Sequence, residues 1–88
     1  MLFPSASQLP VWTIRTPKHR ALVELIKAER QKAGLRQVDV AKKLGQSQSW
    51  VMRLEGGHRR IDVVEFLLIA KVVGFDPVEA IRQIARMR

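Results

Sequence analysis

Glycine spacing constrains this chain more than any other feature. Gly34, Gly45, Gly56-Gly57 and Gly74 each close a short stretch of apolar residues at helical spacing. Helix-start signals stand in front of most of those stretches. They are Thr16-Pro17, Ser47, Asp62 and Asp76-Pro77, with the oxygen-bearing side chain as cap and proline at the first helical position where one is present. The punctuation predicts five short helices at roughly 17–33, 36–44, 48–55, 63–73 and 77–87, with connections of two to five residues. Period-two alternation is absent after residue 16, so no sheet core is expected. With 88 residues there is material for one small domain and no second core.

The apolar faces follow from the same spacing. Leu22, Leu25, Ile26 and Ala33 share a face of the first helix, and Val40, Ala41 and Leu44 one of the second. Val51 and Leu54 point inward from the third, and Phe66, Ile69, Ala70 and Val73 from the fourth. That fourth helix has apolar residues to spare: Val64, Leu67, Leu68 and Val72. A helix apolar all round is normally covered on both sides. The cover is the fifth helix through Val78, Ile81 and Ile84, or a second copy of the chain, or the N-terminal arm. That arm, residues 1–16, contains Pro4 and Pro10 and the extended-type run Val11-Trp12-Thr13-Ile14. The expected organisation is therefore an arm over 1–16 and a helical domain over 17–88.

Composition removes several function classes. The chain has no cysteine, which excludes disulfides, thiolate zinc sites and a cysteine nucleophile. Two histidines, His19 and His58, make a histidine metal site a poor reading, and no cofactor is expected. No apolar run approaches the roughly 18 residues of a membrane span. The opening MLFPSASQLPVW lacks a basic n-region, so a cytoplasmic, nucleoid-associated protein is expected. No paired carboxylates or Ser–His arrangement suggests an enzyme. The formal charge of +8 is concentrated: residues 17–60 hold eleven Lys/Arg against four Asp/Glu, whereas residues 61–81 hold Lys71 against four acids. The charge points to a polyanion partner that meets the middle of the chain.

Within that basic region lies QVDVAKKLGQSQSWVMRLE, residues 37–55. Two short helices are joined by a turn that opens at Gly45, where a left-handed backbone costs little. Ala41 is small where the two axes must cross closely. The outer face of the second helix carries Gln48, Ser49, Met52 and Arg53 in one stripe free of Asp and Glu. Gln and Arg are the side chains that make paired hydrogen bonds to adenine and guanine edges in the major groove.

Residues 19–75 resemble the Cro/repressor-type (XRE) helix-turn-helix family. The resemblance is carried by Arg30, Gly34-Leu35, Gln37, Val40-Ala41, Leu44-Gly45, Ser47, Val51, Glu55 and Gly57, then Phe66, Ala70 and Gly74. It implies an all-α fold, a compact five-helix bundle of the lambda-repressor-like DNA-binding type with an extended N-terminal arm. It also implies a transcriptional regulator, most simply a repressor acting as a homodimer on palindromic double-stranded DNA. By that resemblance Gln48, Ser49 and Arg53 match base-contacting positions, and Met52 on the same face can meet a thymine methyl. Gln37 and Ser47 match backbone-contacting positions, and His58, Arg59 and Arg60 match a loop that grips phosphates. Lys42 and Lys43 add nearby charge. Arg30 and Glu55 match an ion pair tying the first helix to the third. Two features depart from the pattern: Trp50 replaces a small residue, and Gly56-Gly57 implies a looser loop. Arg82, Arg86 and Arg88 suit a helix C-terminus as well as they suit DNA. Trp50 reads as a packing residue and His58 as an exposed one. The alternatives are an antitoxin that binds DNA and a toxin partner, and a protein-interaction adaptor without DNA binding; a membrane partner is not expected.

Overall fold

Thr16 adopts an extended backbone and its hydroxyl accepts the His19 N–H at 3.2 Å, which starts the first helix. The computed structural model describes residues 15–87. The arm expected over 1–16 thus lies outside the described residues apart from Arg15 and Thr16, and so does Arg88. The described residues form α1 (Pro17–Lys32), α2 (Gln37–Leu44), α3 (Gln48–Glu55), α4 (Val63–Val73) and α5 (Pro77–Ala85). No strand occurs among them.

Each start has a local cause. Ser47 Oγ accepts the Trp50 N–H at 3.2 Å. Asp62 and Glu65 exchange reciprocal bonds, Glu65 N–H to Asp62 at 2.7 Å and Asp62 N–H to Glu65 at 3.0 Å. Such a box satisfies two otherwise orphaned donors. Asp76 accepts from both Val78 and Glu79. At α2 the Arg36 N–H donates to Asp39 at 2.8 Å; an arginine side chain has no acceptor to complete the reciprocal bond. This explains why α2 begins at Gln37, with Arg36 as the extended residue before it. The fifth helix stops at Ala85, two residues short of expectation, with Arg86 as its cap.

The stops of α1 to α4 share one geometry. Gly45 has φ 67°, and the Gln46 N–H reaches back to the Ala41 carbonyl at 2.9 Å. A left-handed residue followed by this long back-bond satisfies the last helical carbonyls. The same closure follows α1 (Leu35 to Arg30), α3 (His58 to Arg53) and α4 (Phe75 to Ala70).

The core gathers all five helices. Leu54 of α3 and Ile69 of α4 are its most enclosed large side chains, joined by Ile26, Val40, Val51, Phe66, Val73 and Ala80. Phe66 and Phe75 add a tilted ring pair 5.8 Å apart. Ala41 is buried as the close crossing of α2 and α3 requires. The expected inner face of α4 is the observed one. On α1 the expectation needs correcting. Ala33 is exposed because it is the C-cap, past the reach of the core. Val23 is buried in its place, against the α3–α4 loop near Gly57.

Candidate nucleic-acid interface

The α2–turn–α3 unit places its inward and outward residues on opposite sides. Val51, Leu54 and Glu55 are buried, whereas Gln48, Ser49, Met52 and Arg53 are exposed together along the other face of α3. Met52 keeps 54% of its surface, the apolar member of an otherwise polar stripe. The described residues bring no carboxylate onto this stripe.

The rod is fixed from below by a buried acid. Glu55 accepts Arg30 Nε at 2.6 Å and Arg30 Nη2 at 2.9 Å, a two-pronged pair with both side chains nearly out of solvent. Arg30 Nη1 also donates to the Leu35 carbonyl at 2.8 Å. Gln37 Nε2 donates to Glu55 at 3.1 Å. The end of α3, the last turn of α1 and the first residue of α2 are therefore tied at one carboxylate. The resemblance implied the Arg30–Glu55 pair; the share of Gln37 in it was not foreseen. The bond to Glu55 uses one of the two amide hydrogens of Gln37.

Lys42 and Lys43 are exposed on the last turn of α2, and Ser47 is exposed at the cap of α3. In the α3–α4 loop His58 and Arg60 are exposed. The glycine pair ends α3 with the His58-to-Arg53 back-bond at 2.9 Å. Arg59 is half-buried. Its guanidinium lies 4.4 Å from the centroid of the Trp50 ring and pairs with Glu65 at 3.0 and 3.4 Å. Trp50 packs against the core edge, as its size suggests. Sequence spacing gave no sign of this stack, because its three members come from α3, the loop and α4.

Three carboxyl or imidazole groups are shifted. The Arg36 hydrogen bond holds Asp39 down to about 2. The Arg59 hydrogen bond lowers Glu65. Burial lowers His19, with the Arg59 backbone carbonyl opposing; its Nε2 is enclosed with no hydrogen-bond partner. Among the described residues no cluster of three His, Asp or Glu is arranged to hold a metal ion. No helix there is long and apolar enough to cross a membrane.

Comparison with known proteins agrees with this geometry. A family model described as a helix-turn-helix domain matches residues 21–82. A solved structure titled as an XRE-family like protein from Pseudomonas syringae pv. tomato str. DC3000 superposes with TM-score 0.76 at 34% identity, over 83% of this chain and 89% of that one. No curated protein matches. The class defined by fold and site is that of helix-turn-helix DNA-binding regulators. Within it, the chain belongs to the XRE-type family.

Proposed function

We propose that the protein is a sequence-specific transcriptional repressor that binds double-stranded DNA as a homodimer. The observation that carries the reading is the exposed, acid-free stripe Gln48–Ser49–Met52–Arg53 on a helix anchored by a buried ion pair. Its width suits the major groove, and Gln and Arg supply the hydrogen bonds that read base edges. Lys42, Lys43, His58, Arg60, Ser47 and the remaining amide hydrogen of Gln37 supply phosphate contacts, which hold register and provide most of the affinity. The chain then acts by occupying DNA, in the cytoplasm, with no catalysis and no cofactor.

Dimerisation follows from two considerations. One such helix covers too few base pairs for useful affinity or information, and two half-sites about 34 Å apart remedy this. The surface that supports it is apolar: Val63, Val64, Leu67 and Leu68 of α4 and Val78 and Ile81 of α5 are all exposed. It lies in the acidic part of the chain, away from the basic segment.

Selection of bound fragments from a random duplex pool tests the reading. A two-fold symmetric motif with half-sites one helical turn apart is expected. No enrichment, with no gel shift at low salt, overturns it in favour of the adaptor. Co-purification of a second small protein bound to the α4–α5 surface favours the antitoxin alternative.

A further inference from the structure

Arg59 sits between two basic neighbours, His58 and Arg60, in the loop that DNA recognition assigns to phosphates, yet its surroundings are those of an occupied side chain. One face of the guanidinium lies on the Trp50 ring at 4.4 Å. Its Nη1 and Nη2 both donate to the Glu65 carboxylate. The pair is roughly three-quarters shielded on both sides, with side-chain exposures of 26% and 28%, whereas Arg36 is 78% exposed in its pair with Asp39 and Arg82–Glu79 is about half exposed on both sides. Glu65 is also pinned by the backbone, since its Oε1 accepts the Asp62 N–H at 3.0 Å. The anion therefore cannot swing away with its partner.

We propose that Glu65 holds Arg59 off the DNA backbone, with Trp50 as the positioning residue beneath it, so that Arg59 makes no phosphate contact and Glu65 sets the affinity below what the loop's charge would give. The inference rests on the DNA-binding reading above. Its logic is charge balance. Moving Arg59 from Glu65 to a phosphate exchanges one anion for another. It also strands a partly buried carboxylate near a polyanion and forfeits the stacking on Trp50. Affinity for DNA comes from releasing condensed counterions, and a cation already neutralised within the protein releases none.

Glu65→Gln isolates the effect. The Gln oxygen still accepts the Asp62 N–H, and Gln serves at this helix position as Glu does, so α4 keeps its start while the negative charge is lost. The experiment compares wild type, Glu65→Gln, Arg59→Gln and the double variant on one duplex over a salt series. Wild type, Arg59→Gln and the double variant are expected to share one slope of log K against log salt. Glu65→Gln should be steeper by about 0.9, binding tighter at low salt, with its advantage shrinking about 3.5-fold between about 50 and about 200 mM.

A Glu65→Gln slope equal to wild type overturns the inference. So does an Arg59→Gln slope flatter than wild type, which would mean that Arg59 already grips phosphate. A double variant as steep as Glu65→Gln overturns it too, because the gain would then be general electrostatics. Should Arg59→Gln fail to fold, the double variant, which strands neither charge, carries the same comparison. Trp50 emission read in a Trp12→Phe background, where it is the only indole, reports whether the stack is intact in the free chain. A wild-type chain that binds no duplex at low salt overturns the DNA reading itself and this inference with it; a binding wild type with an unmoved Glu65→Gln slope overturns this inference alone.

Discussion

Glu55 is an acid inside a hydrophobic interior, and it is tolerable there because three donors from two side chains meet it. Removing one partner leaves the other charge buried and unpaired. Arg30→Met is therefore expected to cost about 3–5 kcal/mol in urea unfolding, well above the effect of a surface arginine change. His19 presents the opposite case, a base whose charged form burial disfavours. Its folded value lies below the ordinary 6.5. Its contribution to stability is thus complete above that pH and is lost as the pH falls through the lower folded value. A urea midpoint that declines from about pH 7 to about pH 5 in wild type, and declines less in His19→Gln, is expected. On the DNA side, two arginines should separate by role. Arg53→Ala should relax preference at one base pair and cost about 1–3 kcal/mol, whereas Arg60→Ala should weaken all sequences alike and flatten the salt slope by about one. Identical behaviour of the two in binding-site selection and salt titration would refute the division between base and backbone contacts.

At the scale of elements, the helix starts and stops were written in local chemistry. Thr16, Ser47, Asp62 and Asp76 cap where the sequence placed caps, because a side-chain oxygen reaches an N–H two or three residues on whatever the rest of the chain does. Gly45 is the sharpest instance. Nothing lies within 4 Å of where a Cβ would stand, so a side chain there meets only the backbone penalty of its φ of 67°. Gly45→Ala is expected to cost about 1–2 kcal/mol by thermal unfolding, with the α2–α3 angle unchanged. A loss several times larger would show that the turn is held by something beyond its own backbone. The stripe on α3 was equally legible, because period alone sets which residues share a face. The Trp50–Arg59–Glu65 stack was not. Its members belong to α3, the following loop and the first turn of α4, and only packing brings them together.

For the whole molecule, the unsatisfied feature is the apolar surface of α4 and α5. Val63, Leu67, Phe66, Leu22, Val78 and Ile81 border a groove of about 380 Å³ on that side. The fifth helix was one candidate to cover the spare residues of α4; instead its own Val78 and Ile81 remain 63% and 49% exposed. The proposed dimer gives these residues a partner. Leu67→Lys adds a charge at a half-exposed position without touching the buried face Phe66, Ile69, Ala70 and Val73. Sedimentation equilibrium should then show the monomer at concentrations where wild type is dimeric, with the helical content unchanged; a wild type that is monomeric throughout would remove the dimer from the proposal. By itself, the order of residues determined that there are five helices, where their caps and glycine stops fall, which face α4 buries and that the outward stripe of α3 is free of acids. Those properties depend on bonds between near neighbours and on a fixed period. Tertiary structure alone decided that Val23 is buried and Ala33 is not, that Gln37 joins the Glu55 knot, that Arg59 is occupied while His58 is exposed, and that α5 leaves α4 half uncovered. Those properties depend on which elements meet, and contacts between residues far apart in the chain leave no periodic trace in it.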